Sequence, residues 1–138
     1  MFAESAVLAT AFTAIGLTCD SGLASTLTRS VGESRARELV LLGEPSTPAQ
    51  AVAWGIAGRV VPPSGVAASA RELAARLAAG PTAAYAETKW LVAEAWDTDL
   101  ATTLEAEARA QARLALTADH AAAVEAFLTK RRPEFTGT

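Results

Sequence analysis

The pair Pro62-Pro63 is the feature that most constrains what this chain can fold into. Two successive prolines fix two φ angles, remove two backbone donors and bias the preceding residue towards extended structure. Neither a helix nor an interior strand runs through such a pair. Before it, apolar runs, glycine turns and short helical stretches alternate; after it, the sequence reads as almost pure helix. This predicts an α+β chain, mainly α. Residues 1–62 would form a mixed region of strand, turn and short helices, and residues 63–138 a helical region, the two joined in a single compact unit.

From Ala6 to Leu17 the residues are small or apolar, with Thr10 and Thr13 the only polar interruptions. Periodicity does not separate strand from buried helix here, but Gly16 and the Cys19-Asp20-Ser21-Gly22 stretch argue for extended or irregular structure leading into a turn. Leu23–Val31 reads as a short helix stopped by Gly32. Glu33–Leu42 reads as a second, with Ala36, Leu39 and Val40 on one face and Gly43 as its terminator. In "STPAQAVAWG", Thr47 can cap, Pro48 suits the first helical position and Gly55 closes the unit. "IAGRVVPP" follows as a short strand. Ser64 or Gly65 opens a helix to Ala79, which Gly80-Pro81 breaks. The next helix carries Tyr85, Trp90 and Leu91. A longer one runs from about Asp99 to Leu116, with Leu104, Ala108 and Leu114 as expected buried positions. The last starts near Thr117 and ends before Pro133.

The heavy use of alanine beside 6% aromatic residues predicts helices that meet through small side chains. A hydrophobic share of 51% and a charged share of 20% argue against disorder. A formal net charge of −3 gives no support to a nucleic-acid partner. No apolar run reaches bilayer length, since Glu4 and Asp20 bracket the best candidate, and the first basic residue is Arg29, so no positive region opens a secretory leader. No membrane partner is expected. The single Cys19 has no internal disulfide partner and fits a reducing, cytoplasmic setting. One histidine, His120, and one cysteine leave no metal cluster of usual type, and Gly22 and Gly32 fit neither nucleotide fingerprint. No cofactor site is therefore expected.

Two features carry possible chemistry. Asp20 lies among Ser21 and Gly22, which is ordinary turn composition, so Asp20 or Ser21 can cap the helix beginning near Leu23. Equally, a carboxylate at the end of an apolar segment can be desolvated, which makes it a better base. The basic run Lys130-Arg131-Arg132 can complement the negative end of the last helix. Alternatively, it can meet an anionic ligand.

The motifs "IGLTCDSG", "LTRSVG", "ARELVLLGEPSTPAQAVAWGIAGRVV", "AAGPTAAYAETKWL", "LEAEARAQ" and "AVEAFLTKRRPEFTG" occur in this order from Glu4 to the end. Together they resemble the C-terminal half of the crotonase superfamily, the enoyl-CoA hydratases and isomerases. Within it the chain is most similar to the ring-opening isomerases of phenylacetate breakdown, the 1,2-epoxyphenylacetyl-CoA isomerases. The resemblance implies the C-terminal part of the ClpP-like spiral fold, followed by a helical layer used for trimer or hexamer assembly. It also implies that the family's N-terminal half, with much of the acyl-CoA pocket and both oxyanion-hole donors, is absent here.

In that subgroup the aspartate of the opening motif transfers protons, and the matching residue is Asp20. The implied chemistry removes an acidic proton from an acyl-CoA, holds the enolate in an oxyanion hole and returns the proton to another carbon. Many hydratases carry a catalytic glutamate eight residues earlier; Phe12 occupies that position here, against a hydratase mechanism. The family's "KR.p.F" segment lies near the adenosine end of coenzyme A, and Lys130, Arg131 and Phe135 match it. Coenzyme A enters as part of the substrate. Two departures stand out: Cys19 replaces the usual proline, and Leu23 replaces the second glycine after Ser21. Two classes of function follow. One is an acyl-CoA isomerase active only with its N-terminal half; the other is a non-catalytic remnant or interaction module. A third reading, an enoyl-CoA hydratase with altered acid–base groups, has Phe12 against it. Exposed apolar surface around residues 6–17 and 56–61 would favour the first.

Overall fold

Helix boundaries fall at the punctuation read in the sequence. In the computed structural model, which describes residues 1–138, α1 (Leu23–Val31) stops at Gly32 and α2 (Glu33–Leu42) at Gly43. α3 (Pro48–Ala53) starts on Thr47 with a complete capping box: the Gln50 amide donates to Thr47 Oγ1, and the Thr47 amide to Gln50 Oε1. Beyond the prolines come α4 (Val66–Ala78), α5 (Thr82–Glu94), α6 (Leu100–Leu114) and α7 (Ala118–Leu128). The chain is α+β and mainly α, as expected. It divides into two compact units, Met1–Arg71 and Glu72–Thr138, and the division falls inside α4.

In the first unit, β1 (Phe2–Ala3) pairs in parallel with β2 (Val60–Val61), Phe2 opposite Val60 and Ala3 opposite Val61. A parallel pair needs a long crossover, which here contains α1, α2 and α3. The apolar run after β1 is irregular, with one antiparallel bridge between Leu8 and Ser46 and a single 3₁₀ turn at Thr13–Ile15. Its two polar interruptions have a structural use. Thr10 Oγ1 donates to the Leu39 carbonyl at 2.6 Å and Thr13 Oγ1 to the Val40 carbonyl at 3.1 Å. Both carbonyls belong to the last turn of α2; the Leu39 carbonyl also accepts the Gly43 amide at 2.9 Å, so the Thr10 hydroxyl is its second donor. Arg35 of α2 lies 4.8 Å from the centre of the Trp54 ring at the end of α3, a cation–π contact.

In the second unit, α5 and α6 are stapled by a two-pronged ion pair. Arg113 Nε and Nη2 each donate to one oxygen of Glu87 at 2.8 Å. That bond holds the Glu87 carboxyl below its ordinary range. Asp99 caps α6 by accepting the Thr102 amide at 2.8 Å, and Thr117 caps α7 by accepting the His120 amide at 3.1 Å. Gly80 is buried because the Tyr85 ring lies over it: a Cβ there would collide with the Tyr85 ring and hydroxyl. Tyr85 is 41% exposed and its ring can swing aside, so Gly80→Ala is expected to lower stability by only about 1 kcal/mol. Chemical denaturation checks this, and Tyr85→Ala in the same background should return most of the loss.

The buried apolar side chains are Leu27, Ala36, Ala51, Ala57, Ala110 and Ala126, so helices do meet through alanine. The expected buried face of α6 needs correction: Leu104 and Ala108 are exposed and Leu114 is half-buried. The inward stripe is Thr103, Ala106, Ala110 and Leu114, which keeps the 3–4 residue helical spacing but is set one residue round from Leu104. One residue turns a helix by about 100°, enough to move a side chain off the packed face.

Candidate active site

Asp20 sits in a turn made by two consecutive left-handed residues, Ser21 (φ 51) and Gly22 (φ 79). Glycine takes this conformation without penalty, whereas a serine held there stores about 1–3 kcal/mol of strain. The Leu23 amide donates to the Asp20 carbonyl at 2.9 Å and closes the turn. Gly22 itself occupies the cap position of α1, and no side chain caps that helix. Capping by Asp20 or Ser21, one of the two readings of this turn, is thus corrected. The residue in the cap position has no side chain to offer. The Asp20 side chain is exposed and has no hydrogen-bond or ion-pair partner within the chain. The desolvated setting envisaged for it is not present; the carboxylate stands in water.

Beside the turn, α1 and α2 enclose an open groove of about 400 Å³, lined by Cys19, Leu23, Leu27, Ala36, Arg37 and Val40 among others. Both departures from the family motif, Cys19 and Leu23, therefore face this one groove. The sequence offered no signal that Leu27, Ala36 and Val40 would join them, because that depends on how two helices cross.

Lys130 and Arg131 belong to the turn that ends α7. Lys130 is left-handed (φ 54), its amide donates to the Phe127 carbonyl at 3.2 Å, and the Arg131 amide donates to the Ala126 carbonyl at 2.8 Å. This is a Schellman motif with lysine in the position usually held by glycine. The Arg131 side chain donates to Thr129 Oγ1 at 3.1 Å and to Glu125 Oε1 at 3.2 Å, while Lys130 is exposed. Phe135 is half-buried and lines a cavity of about 220 Å³ with Pro81, Ala84, Leu114, His120 and Ala123. The cavity lies against the first half of α7, at Asp119, His120 and Ala123, whereas the basic pair follows the last turn of that helix.

Sequence reasoning missed Asp119. It is 4% exposed, and its carboxylate accepts the Thr136 amide at 2.7 Å, the Gly137 amide at 3.0 Å and the Thr136 hydroxyl at 3.3 Å. Its own amide donates to the Thr138 carbonyl at 2.9 Å. An acidic residue in the first turn of α7 was visible as a partner for the helix dipole. The pairing across 17 residues was not.

Solved structures carry the same architecture. The chain matches a Mycobacterium abscessus protein assigned to the enoyl-CoA hydratases/isomerases with a TM-score of 0.94 at 45% identity, covering 99% of this chain and 52% of that one. It matches an enoyl-CoA hydratase of Bacillus anthracis with a TM-score of 0.92 at 29% identity, covering 99% and 53%. These likenesses define a crotonase-fold chain. Residues 1–138 match the enoyl-CoA hydratase/isomerase family throughout, and the chain belongs to that family. Among curated relatives, it is 39% identical over 135 residues to a Rhodobacter capsulatus protein described as a probable enoyl-CoA hydratase. It is 38% identical over 135 residues to the 1,2-epoxyphenylacetyl-CoA isomerase of Escherichia coli K12. In both cases the match covers 98% of this chain and 52% of the relative, so the chain spans about half the length of the curated relatives it matches. No helix is long and apolar enough to cross a membrane.

Proposed function

We propose that this chain carries the proton-transferring carboxylate and a coenzyme A contact of an acyl-CoA isomerase, and that it acts together with an N-terminal half of the family fold. Asp20 takes a proton from a carbon made acidic by the thioester, leaving an enolate, and returns it to another carbon of the same acyl group; the double bond moves and no atom is gained or lost. Backbone donors supplied by the N-terminal half hold the enolate oxygen, a contribution of about 3 kcal/mol for one donor. Lys130, Arg131 and Phe135 meet the nucleotide end of coenzyme A, in a cytoplasmic trimer or hexamer. The 1,2-epoxyphenylacetyl-CoA isomerase among the relatives supports an aromatic or ring-derived acyl group.

The observation that carries this reading is the idle carboxylate: Asp20 is exposed and unpartnered on a turn that holds a non-glycine residue in a left-handed conformation. A residue kept only for structure would cap α1, and Gly22 does that instead. Phe12 in place of the hydratase glutamate supports isomerisation over hydration. Val7, Ile15 and Leu17 are 71%, 73% and 59% exposed, an apolar surface that supports a covering partner over a closed remnant. Residues 56–61 do not add to it, since Ala57 is buried and Ile56, Val60 and Val61 are half-buried.

The test is proton exchange. The chain is assembled with a polypeptide supplying the N-terminal half and incubated with an acyl-CoA in D₂O. Deuterium should enter the acyl group at the carbons that lose and regain the proton. An assembled protein that binds acyl-CoA yet exchanges no deuterium would leave only the interaction-module reading.

A further inference from the structure

Residues 133–138 leave α7 at its C-terminal end and are fastened again at its N-terminal end. Three contacts make the fastening. The Asp119 carboxylate accepts the Thr136 and Gly137 amides, the Asp119 amide donates to the Thr138 carbonyl, and Phe135 forms one wall of the cavity lined by Pro81, Ala84, Leu114 and Ala123. Gly137 is part of the fit: it is left-handed (φ 83), and a Cβ there would come within 2.8 Å of Thr82 Oγ1 at the start of α5. The basic run Lys130-Arg131-Arg132 is thus held at both ends, by the Schellman turn on one side and by this latch on the other.

From this geometry we infer that Asp119 is a positioning residue for the coenzyme: by latching residues 136–138 it fixes the segment carrying Lys130, Arg131 and Phe135, and so sets affinity for the nucleotide end without touching it. The inference rests on the coenzyme A contact proposed above. A side chain with this job needs to be a carboxylate, because it must accept two amides at once on separate oxygens; an amide would turn one oxygen into a donor facing a donor. It also needs to be dry, since water would compete for the same amides, and Asp119 is buried. The free energy of the latch prepays the ordering of residues 130–138, which ligand binding would otherwise have to supply.

Two variants break the latch from opposite sides. Asp119→Asn removes an acceptor from α7, and Gly137→Ala pushes the segment off α5 while leaving α7 untouched. The dissociation constants of the chain, assembled with a polypeptide supplying the N-terminal half, for coenzyme A and for pantetheine, which lacks the nucleotide, are measured by titration calorimetry. Both variants should weaken coenzyme A about tenfold, the worth of one charge-assisted hydrogen bond, and leave pantetheine unchanged. Equal weakening of both ligands would reduce the latch to a general structural role and overturn the inference. If Lys130→Ala weakens coenzyme A while the two latch variants do not, the coenzyme contact stands and the role of Asp119 falls. If the unaltered chain binds both ligands alike, or Lys130→Ala and Arg131→Ala change nothing, the contact itself fails and the inference goes with it.

Discussion

Asp20→Asn is expected to lower isomerisation by about two to four orders of magnitude in the protein assembled with its N-terminal half, the usual contribution of a positioned acid–base group. The substitution keeps the shape of the side chain and removes its ability to take up a proton at neutral pH. Because Asp20 is exposed, has no partner and does not cap α1, the same change should leave the unfolding midpoint almost untouched, within about 0.5 kcal/mol as for other surface positions. That separation is diagnostic. Turnover and thermal unfolding measured on one preparation should show a large loss in the first and none in the second. Full turnover in the asparagine variant would remove Asp20 from the mechanism. A parallel loss of stability would mean that the carboxylate supports the turn after all.

Leu27→Ala should produce the largest loss of stability available from a single side chain in the first unit. Leu27 is the only large residue among the buried apolar side chains, at 7% exposure, and it lines the α1–α2 groove together with Ala36 and Val40. Truncation removes its transfer free energy and leaves a void that small neighbours such as Ala36 fill poorly, for a cost of about 2–5 kcal/mol. Against a total stability of about 5–15 kcal/mol for an ordinary domain, this is a serious fraction. A shift of the thermal midpoint by about 10 °C is expected for a chain of this size. The effect should reach the site as well, because α1 carries the Ser21-Gly22 turn at its start. A loss of under about 1 kcal/mol would show that the helices close over the void, and that the groove yields to its contents.

The helices were legible because their signals are local. Thr47 followed by Pro48 and Gln50 contains a whole capping box within four residues, and Gly32 and Gly43 end helices by their own conformational freedom. The strand pair was legible only in part: Val60–Val61 sat within an expected strand, but Phe2–Ala3 gave no pattern, since two residues carry no period. The stripe on α6 was misplaced for a related reason. Alanine appears on two opposite faces of that helix, Ala101, Ala108 and Ala112 on one and Ala106 and Ala110 on the other, so hydrophobicity could not say which alanines were inside.

At the candidate sites the division is similar. The motif around Asp20 identified the carboxylate, and the basic run followed by Phe135 identified a second locus, both from residue types in a fixed order. Whether Asp20 caps a helix was undecidable at that level, since Asp-Ser-Gly suits both answers; the left-handed pair Ser21-Gly22 decided it by giving the cap position to glycine. Asp119 and Gly137 stayed hidden because their relation is a hydrogen bond across 18 residues, and sequence patterns report only neighbours along a helix or strand. By itself, then, the sequence determined the helices, their ends, the family and the identity of the acidic and basic candidates, all of which depend on local conformational preference or ordered motifs. Tertiary structure alone decided that Asp20 is unpartnered, that Cys19 and Leu23 share a groove with α2, and that Asp119 fastens the segment bearing Phe135. Those facts depend on which distant groups satisfy one another's hydrogen bonds and which faces pack, and that is settled only when the whole chain folds.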